Sequence, residues 1–169
     1  MVIVNAIHKL SDWLFEICAV LCTITLSSMV VITGAQILGR VYFTPLVWSE
    51  ELARYLLVWS TFLGASCVYK KMGHINVTVI RELFPPVVCK TLEVTVHLLC
   101  GAFFAMAVFY GIKYMNLQSQ QLSAAMSIPM RYIYIIIPVG CSIMLLHAVD
   151  LLLRMIPAPK AQPAPGGGQ

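Results

Sequence analysis

Charge is scarce in this sequence. Lys, Arg, Asp and Glu make up 11% of its 169 residues, acidic residues number seven, and no charged side chain interrupts the stretch from Ile17 to Gly39. Soluble domains carry roughly 45–50% apolar residues. Here the share is 60% and the mean hydropathy is +0.86. A soluble domain of this size could not hide so many apolar side chains, so the class is an integral membrane protein. The net charge of +4 is modest and points to asymmetric membrane loops rather than to nucleic acid. A long polar segment is also missing. The longest linker, about 70–93, falls short of the roughly 40 residues below which a domain rarely folds unaided. There is no G-x-x-x-x-G-K-[ST] phosphate loop, which excludes ATP hydrolysis by the familiar route. There is no C-x-x-C pair either. Cys18 and Cys22 share a helix face at i,i+4, but no His, Asp or Glu nearby completes a metal site, so they read as small packing residues. The expectation is a chain that is not an enzyme and holds no cofactor or metal.

What is present is a set of apolar runs. A helical span needs about 20 mostly apolar residues, and four segments qualify: 16–39, 50–69, 94–112 and 132–153. The fold class is therefore all-α, with four transmembrane helices in a membrane domain over 1–156. The Pro-, Gly- and Ala-rich stretch 157–169 is expected to be a disordered tail. The first run exceeds the apolar core of a signal peptide and ends without a clear small-x-small cleavage site, so it reads as a retained span. Four spans place both termini on one side, together with the loop joining the second and third. That side carries Lys9, Lys70, Lys71, Arg81, Lys90, Arg154 and Lys160, against Arg40, Arg54, Lys113 and Arg131 on the other. The positive-inside rule puts both termini in the cytoplasm.

Against this background the stretch WSEELARY over 48–55 is conspicuous, because it gathers Glu50, Glu51 and Arg54 where the second span begins. Thr44, with Pro45 after it, is a suitable helix start, and Ser49 is a second candidate cap. Carboxylates near a helix N-terminus are favoured by the dipole. Glu50 and Arg54 are spaced i,i+4 and Glu51 and Arg54 i,i+3, so both pairs can meet. Two functions fit: an interfacial anchor with Trp48, Tyr55 and Trp59 at headgroup depth, or a docking corner for another membrane subunit.

Several other residues qualify the picture. Gln36 is the main deep polar side chain of the first span and reads as interhelical hydrogen-bonding glue. AQILG over 35–39 and STFLG over 60–64 are small-xxx-small patterns that permit close helix approach. Gly73 allows a turn at the end of the second helix, leaving His74 at the membrane surface. Over 75–83 the pattern fits a strand or a helix face, with a segment lying along the interface as the default. The loop from Lys113 to Arg131 is polar but nearly uncharged. It reads as solvated, with contact to a soluble partner as the alternative. Ile128 and Pro129 mark the start of the last span, and Pro138 is placed to kink it.

The arrangement Arg40, Pro45, WSEELARYLLVWSTFLGA over 48–65 and GHINV over 73–77 resembles the small membrane subunit of TRAP transporters, the tripartite ATP-independent periplasmic (DctQ-like) family. The similarity resumes at SIPMRYIYIIIPVG over 127–140. Thr78 departs from it, since many relatives carry an acidic residue there. The resemblance implies a multi-pass protein of the bacterial inner membrane. It also implies a large membrane subunit that carries substrate and sodium sites, and a periplasmic substrate-binding protein that delivers an organic anion, often a carboxylate. The small subunit would act as a scaffold. With the local reading, the candidates for contact with that subunit or with membrane lipid are Gln36, Arg40, Trp48, Glu50, Glu51, Arg54, Tyr55, Gly73 and His74. An alternative rests on His97 and His147. They lie at similar depth near one face, where two imidazoles can ligate haem iron, as in a haem or quinone membrane anchor of an electron-transfer complex.

Overall fold

A computed structural model describes the backbone of residues 2–42, 46–81 and 86–155, and the side chains of 5–42, 46–71 and 88–155. Thr44, Pro45, the side chain of His74 and the segment 157–169, on which sequence expectations fell, lie outside these residues. The described chain is helical: α1 (Val2–Tyr42), α2 (Val47–Arg81), α3 (Pro86–Leu117), a single turn α4 (Arg131–Tyr134) and α5 (Ile136–Met155). Four stretches, Asn5–Tyr42, Val47–Lys71, Val88–Leu117 and Arg131–Met155, are long and apolar enough to cross a membrane. The fold is the expected all-α, four-span one.

The helices overrun the apolar runs that signal them. Once nucleated, a helix adds one hydrogen bond per residue, and nothing in the polar flanks of α1 and α2 stops it. This corrects the reading of Gly73, since α2 passes through Gly73 without a turn and continues to Arg81. At the other end of α2 the Leu46 carbonyl accepts from both the backbone N–H and the hydroxyl of Ser49, at 3.2 and 2.6 Å. Ser49 thus lies inside the first turn, not ahead of it. The last span shows its proline. Pro138 has no N–H to give the carbonyl four residues back, at Tyr134, and the helix is interrupted one residue later, at Ile135. Ile135 keeps helical dihedrals (φ −58°, ψ −26°), so the result is a local break within one span, as expected of a kink.

The order of packing is α1 on α2, α2 on α5, and α5 on α3, with α1 and α3 on opposite flanks. The last span is by far the most buried of the four. Two apolar clusters fill the middle. One joins Phe104 to Cys141, Met144 and Ala148, with Phe62 and Tyr69 against them. The other joins Cys18, Leu63 and Ile136, with Trp59 packed on it. Trp59 therefore faces the bundle. Helices approach closely at two glycines, Gly140 and Gly111, and touch at ordinary contact distance at a third, Gly64. A Cβ on Gly140 would meet Phe62 at 3.0 Å, one on Gly111 would meet Ile137 at 3.2 Å, and one on Gly64 would meet Cys22 Sγ at 3.5 Å. The 60–64 pattern thus faces α1, where the Cys22 thiol also points to the Ser60 carbonyl at 3.6 Å. Cys18 and Cys22 pack in the apolar cluster as small residues.

Candidate functional site

The ion pairs among the described residues lie at the two ends of the bundle. At the end where α2 begins, Glu50 and Arg54 pair across one helical turn at 2.6 Å, both well exposed. Glu51, one residue on, points the other way. Its carboxylate accepts the backbone N–H groups of Ala124, Ala125 and Met126 at 3.1, 2.9 and 3.1 Å, and the Tyr55 hydroxyl at 2.5 Å. Three successive N–H groups converging on one anion form an anion-binding concavity of the kind known as a nest. Here the nest is filled by the protein's own carboxylate. The loop is further closed by Ser123 N–H to the Ile128 carbonyl (2.9 Å) and Met130 N–H to the Gln121 carbonyl (2.8 Å). Ser127 takes the left-handed region, φ 52°, where the chain turns back. Tyr55 also reaches Met130 Sδ at 3.6 Å.

The three charges therefore do not make one corner. Glu50 and Arg54 form the exposed pair that their spacing predicts, while the Glu51–Arg54 contact, sterically open in the sequence, is replaced by the loop. Trp48 is exposed beside the pair and Tyr55 is half-buried. Arg40, in the last turn of α1, is exposed, and Gln36 is half-buried. Neither has a hydrogen-bond or ion-pair partner among the described residues.

At the opposite end, where α1 begins and α5 ends, lies a cluster that the sequence reading missed. Ser11, His147 and Asp150 are fully buried. The Ser11 hydroxyl donates to Asp150 Oδ2 at 2.9 Å and lies 2.8 Å from His147 Nδ1. A hydroxyl has one proton, so with that proton on Asp150 the imidazole N–H must donate to Ser11. The other carboxylate oxygen meets His8 Nδ1, and Arg154 stands 3.1 Å from Oδ2. Around this core Asp12 pairs with Lys70 at 2.6 Å and Arg154 at 3.5 Å. Lys70 and Lys71 both lie over the Phe15 ring. The residue types are those of a hydrolytic triad, but the order is not. Serine stands between histidine and aspartate, its proton committed to the carboxylate, whereas a nucleophilic serine needs the imidazole to take that proton. The cluster ties α1 to α5 and α2. The second histidine, His97, meets the Tyr69 hydroxyl at 3.1 Å. Each imidazole proposed for haem is thus engaged at Nδ1 by a hydroxyl from another helix.

Fold and site together define a four-helix membrane protein with two apolar clusters at its middle, an internally latched end and an end that presents a stapled loop beside an exposed ion pair. The sequence matches the family described as tripartite ATP-independent periplasmic transporters, DctQ component, over residues 29–158. The chain belongs to this family, the small permease subunits of TRAP-type transporters. It is accordingly a multi-pass protein of the inner membrane and a transporter component, not an enzyme. It is 32% identical over 117 residues to the sialic acid TRAP transporter permease protein SiaT of Haemophilus influenzae (strain 86-028NP), covering 69% of this chain and 19% of that protein. It is 29% identical over 80 residues to the putative TRAP transporter small permease protein of Haemophilus influenzae (strain ATCC 51907 / DSM 11121 / KW20 / Rd), covering 47% of this chain and 50% of that protein. The chain spans half or less of the length of these curated relatives.

Proposed function

We propose that this chain is the scaffold subunit of a sodium-driven importer of an organic anion, a carboxylate by preference. It would work beside a large membrane subunit and a periplasmic substrate-binding protein. Family membership supports the transporter assignment, and the sialic acid named for one relative is a carboxylate. The observation that carries the scaffold reading is the distribution of polar groups. Phe104, Met144, Leu63 and Ile136 fill the middle of the bundle, which leaves the solute path to the larger partner. The exposed Glu50–Arg54 pair is the docking point. Within this chain an exposed i,i+4 pair is worth only about 0.3–0.5 kcal/mol, so its two charges remain open to a partner.

Arg54→Ala tests this reading. The chain should still insert and keep its stability, while co-purification with the large subunit and uptake both fall. The double exchange Glu50→Arg with Arg54→Glu should recover part of the loss if the two charges act as a pair. Wild-type uptake and co-purification in Arg54→Ala would reduce the pair to an interfacial anchor.

The proposed orientation puts both termini in the cytoplasm, supported by the basic residues and by the gathering of Lys9, Lys70 and Arg154 at one end. In a cysteine-free background, a membrane-impermeant thiol reagent added to intact spheroplasts should label a cysteine at position 120 and spare one at 71. The reverse pattern would invert the orientation.

A further inference from the structure

Along the end of α3 nearest the stapled loop runs an open groove of about 520 Å³. Its floor is apolar, made by Ala107, Gly111 and Ile137. Its rim carries Tyr110, Lys113 and Tyr114. Gly111 brings the two helices close, since a Cβ there would meet Ile137 at 3.2 Å and Pro138 at 3.4 Å. Lys113 is exposed and has no ion-pair or hydrogen-bond partner among the described residues. In a chain with so few charges, an unpaired ammonium at the membrane surface above an apolar trough is a specific arrangement.

We infer that this groove holds one glycerophospholipid of the adjacent leaflet, with an acyl chain along Ala107, Gly111 and Ile137 and its phosphodiester at Lys113. The charge is complementary, since Lys113 supplies a cation where a lipid phosphate lies. The tyrosine rims have the amphipathic character suited to headgroup depth. The surrounding surface favours lipid over a partner helix. Phe103, Met106 and Phe109 stand out from α3, whereas helices that pack closely in membranes meet through small residues. A basic residue at a bilayer surface strengthens anionic lipid binding by about fivefold. The proposal needs only that the chain lies in a membrane, so it stands or falls separately from the transporter reading.

Native mass spectrometry of the full-length chain, delipidated in detergent and titrated with phosphatidylglycerol or with diacylglycerol of the same chains, tests it. The wild type should retain one phosphatidylglycerol in preference to diacylglycerol. Lys113→Gln should weaken retention about fivefold and erase the preference, and Lys113→Arg should restore both. Equal retention by Lys113→Gln, or equal binding of the two lipids by the wild type, would overturn the proposal. So would a cysteine at 113 that cross-links efficiently to the large subunit, because the groove would then hold protein.

Discussion

Replacing Glu51 with alanine is expected to undo the loop 118–130 while leaving the four helices in place. The carboxylate is the common acceptor for three backbone N–H groups and the Tyr55 hydroxyl. Charge-assisted bonds of this kind are roughly twice as strong as neutral ones, and of the three N–H groups only that of Met126 has a second acceptor, the Ser123 hydroxyl at 3.3 Å. Amide exchange across 123–127 should accelerate by roughly tenfold or more, as local opening there becomes easy. Helical content should stay at the wild-type level. Glu51→Gln keeps one carbonyl oxygen and should fall between. If exchange in the loop is unchanged in Glu51→Ala, the staple contributes nothing and the Ser123–Ile128 and Gln121–Met130 bonds suffice alone.

The other large effect is expected at the opposite end. Asp150→Ala removes the buried acceptor shared by Ser11, His8 and Arg154. Breaking a buried, hydrogen-bonded charge group costs about 3–5 kcal/mol. Because Arg154 keeps water and Asp12 within reach, the lower value, about 3 kcal/mol, is expected here. Reversible unfolding in mixed micelles should show that loss. Cleavage near residues 5–12 by added protease should rise with it, since α1 is tied to α5 mainly by this cluster. Asp150→Asn retains an acceptor for Ser11 and should recover part of the stability. A loss below about 0.5 kcal/mol, typical of a surface substitution, would mean that the cluster is not a latch.

The difference between these two sites explains what sequence alone carries. The four spans were legible because lipid demands continuous apolar helices. The Glu50–Arg54 pair was legible because i,i+4 spacing is local geometry. The Pro138 break follows from a missing N–H. Glu51 was singled out, but its partners stand more than 70 residues away in the chain, and no periodicity names them. Nothing local in the sequence marks Ser11 and Asp150 as partners. Their meeting depends on α1 and α5 packing side by side across 139 positions of sequence. The signal available beforehand was physical: an aspartate among the leucines of a span needs a partner, and Ser11, His8 and Asp12 share the first turns of α1. Helix ends were the least legible feature, because α2 carries on through Gly73 where a glycine alone suggested a stop.

The central claim is that this chain supports a larger transport subunit rather than carrying solute itself. The most direct measurement reconstitutes the large membrane subunit and the periplasmic binding protein into sodium-loaded or sodium-free vesicles, with and without this chain. The scaffold account predicts that the two membrane subunits co-purify at a fixed ratio, that uptake needs both and an inward sodium gradient, and that this chain alone moves no substrate. Full sodium-driven uptake by the large subunit in the absence of this chain would contradict it.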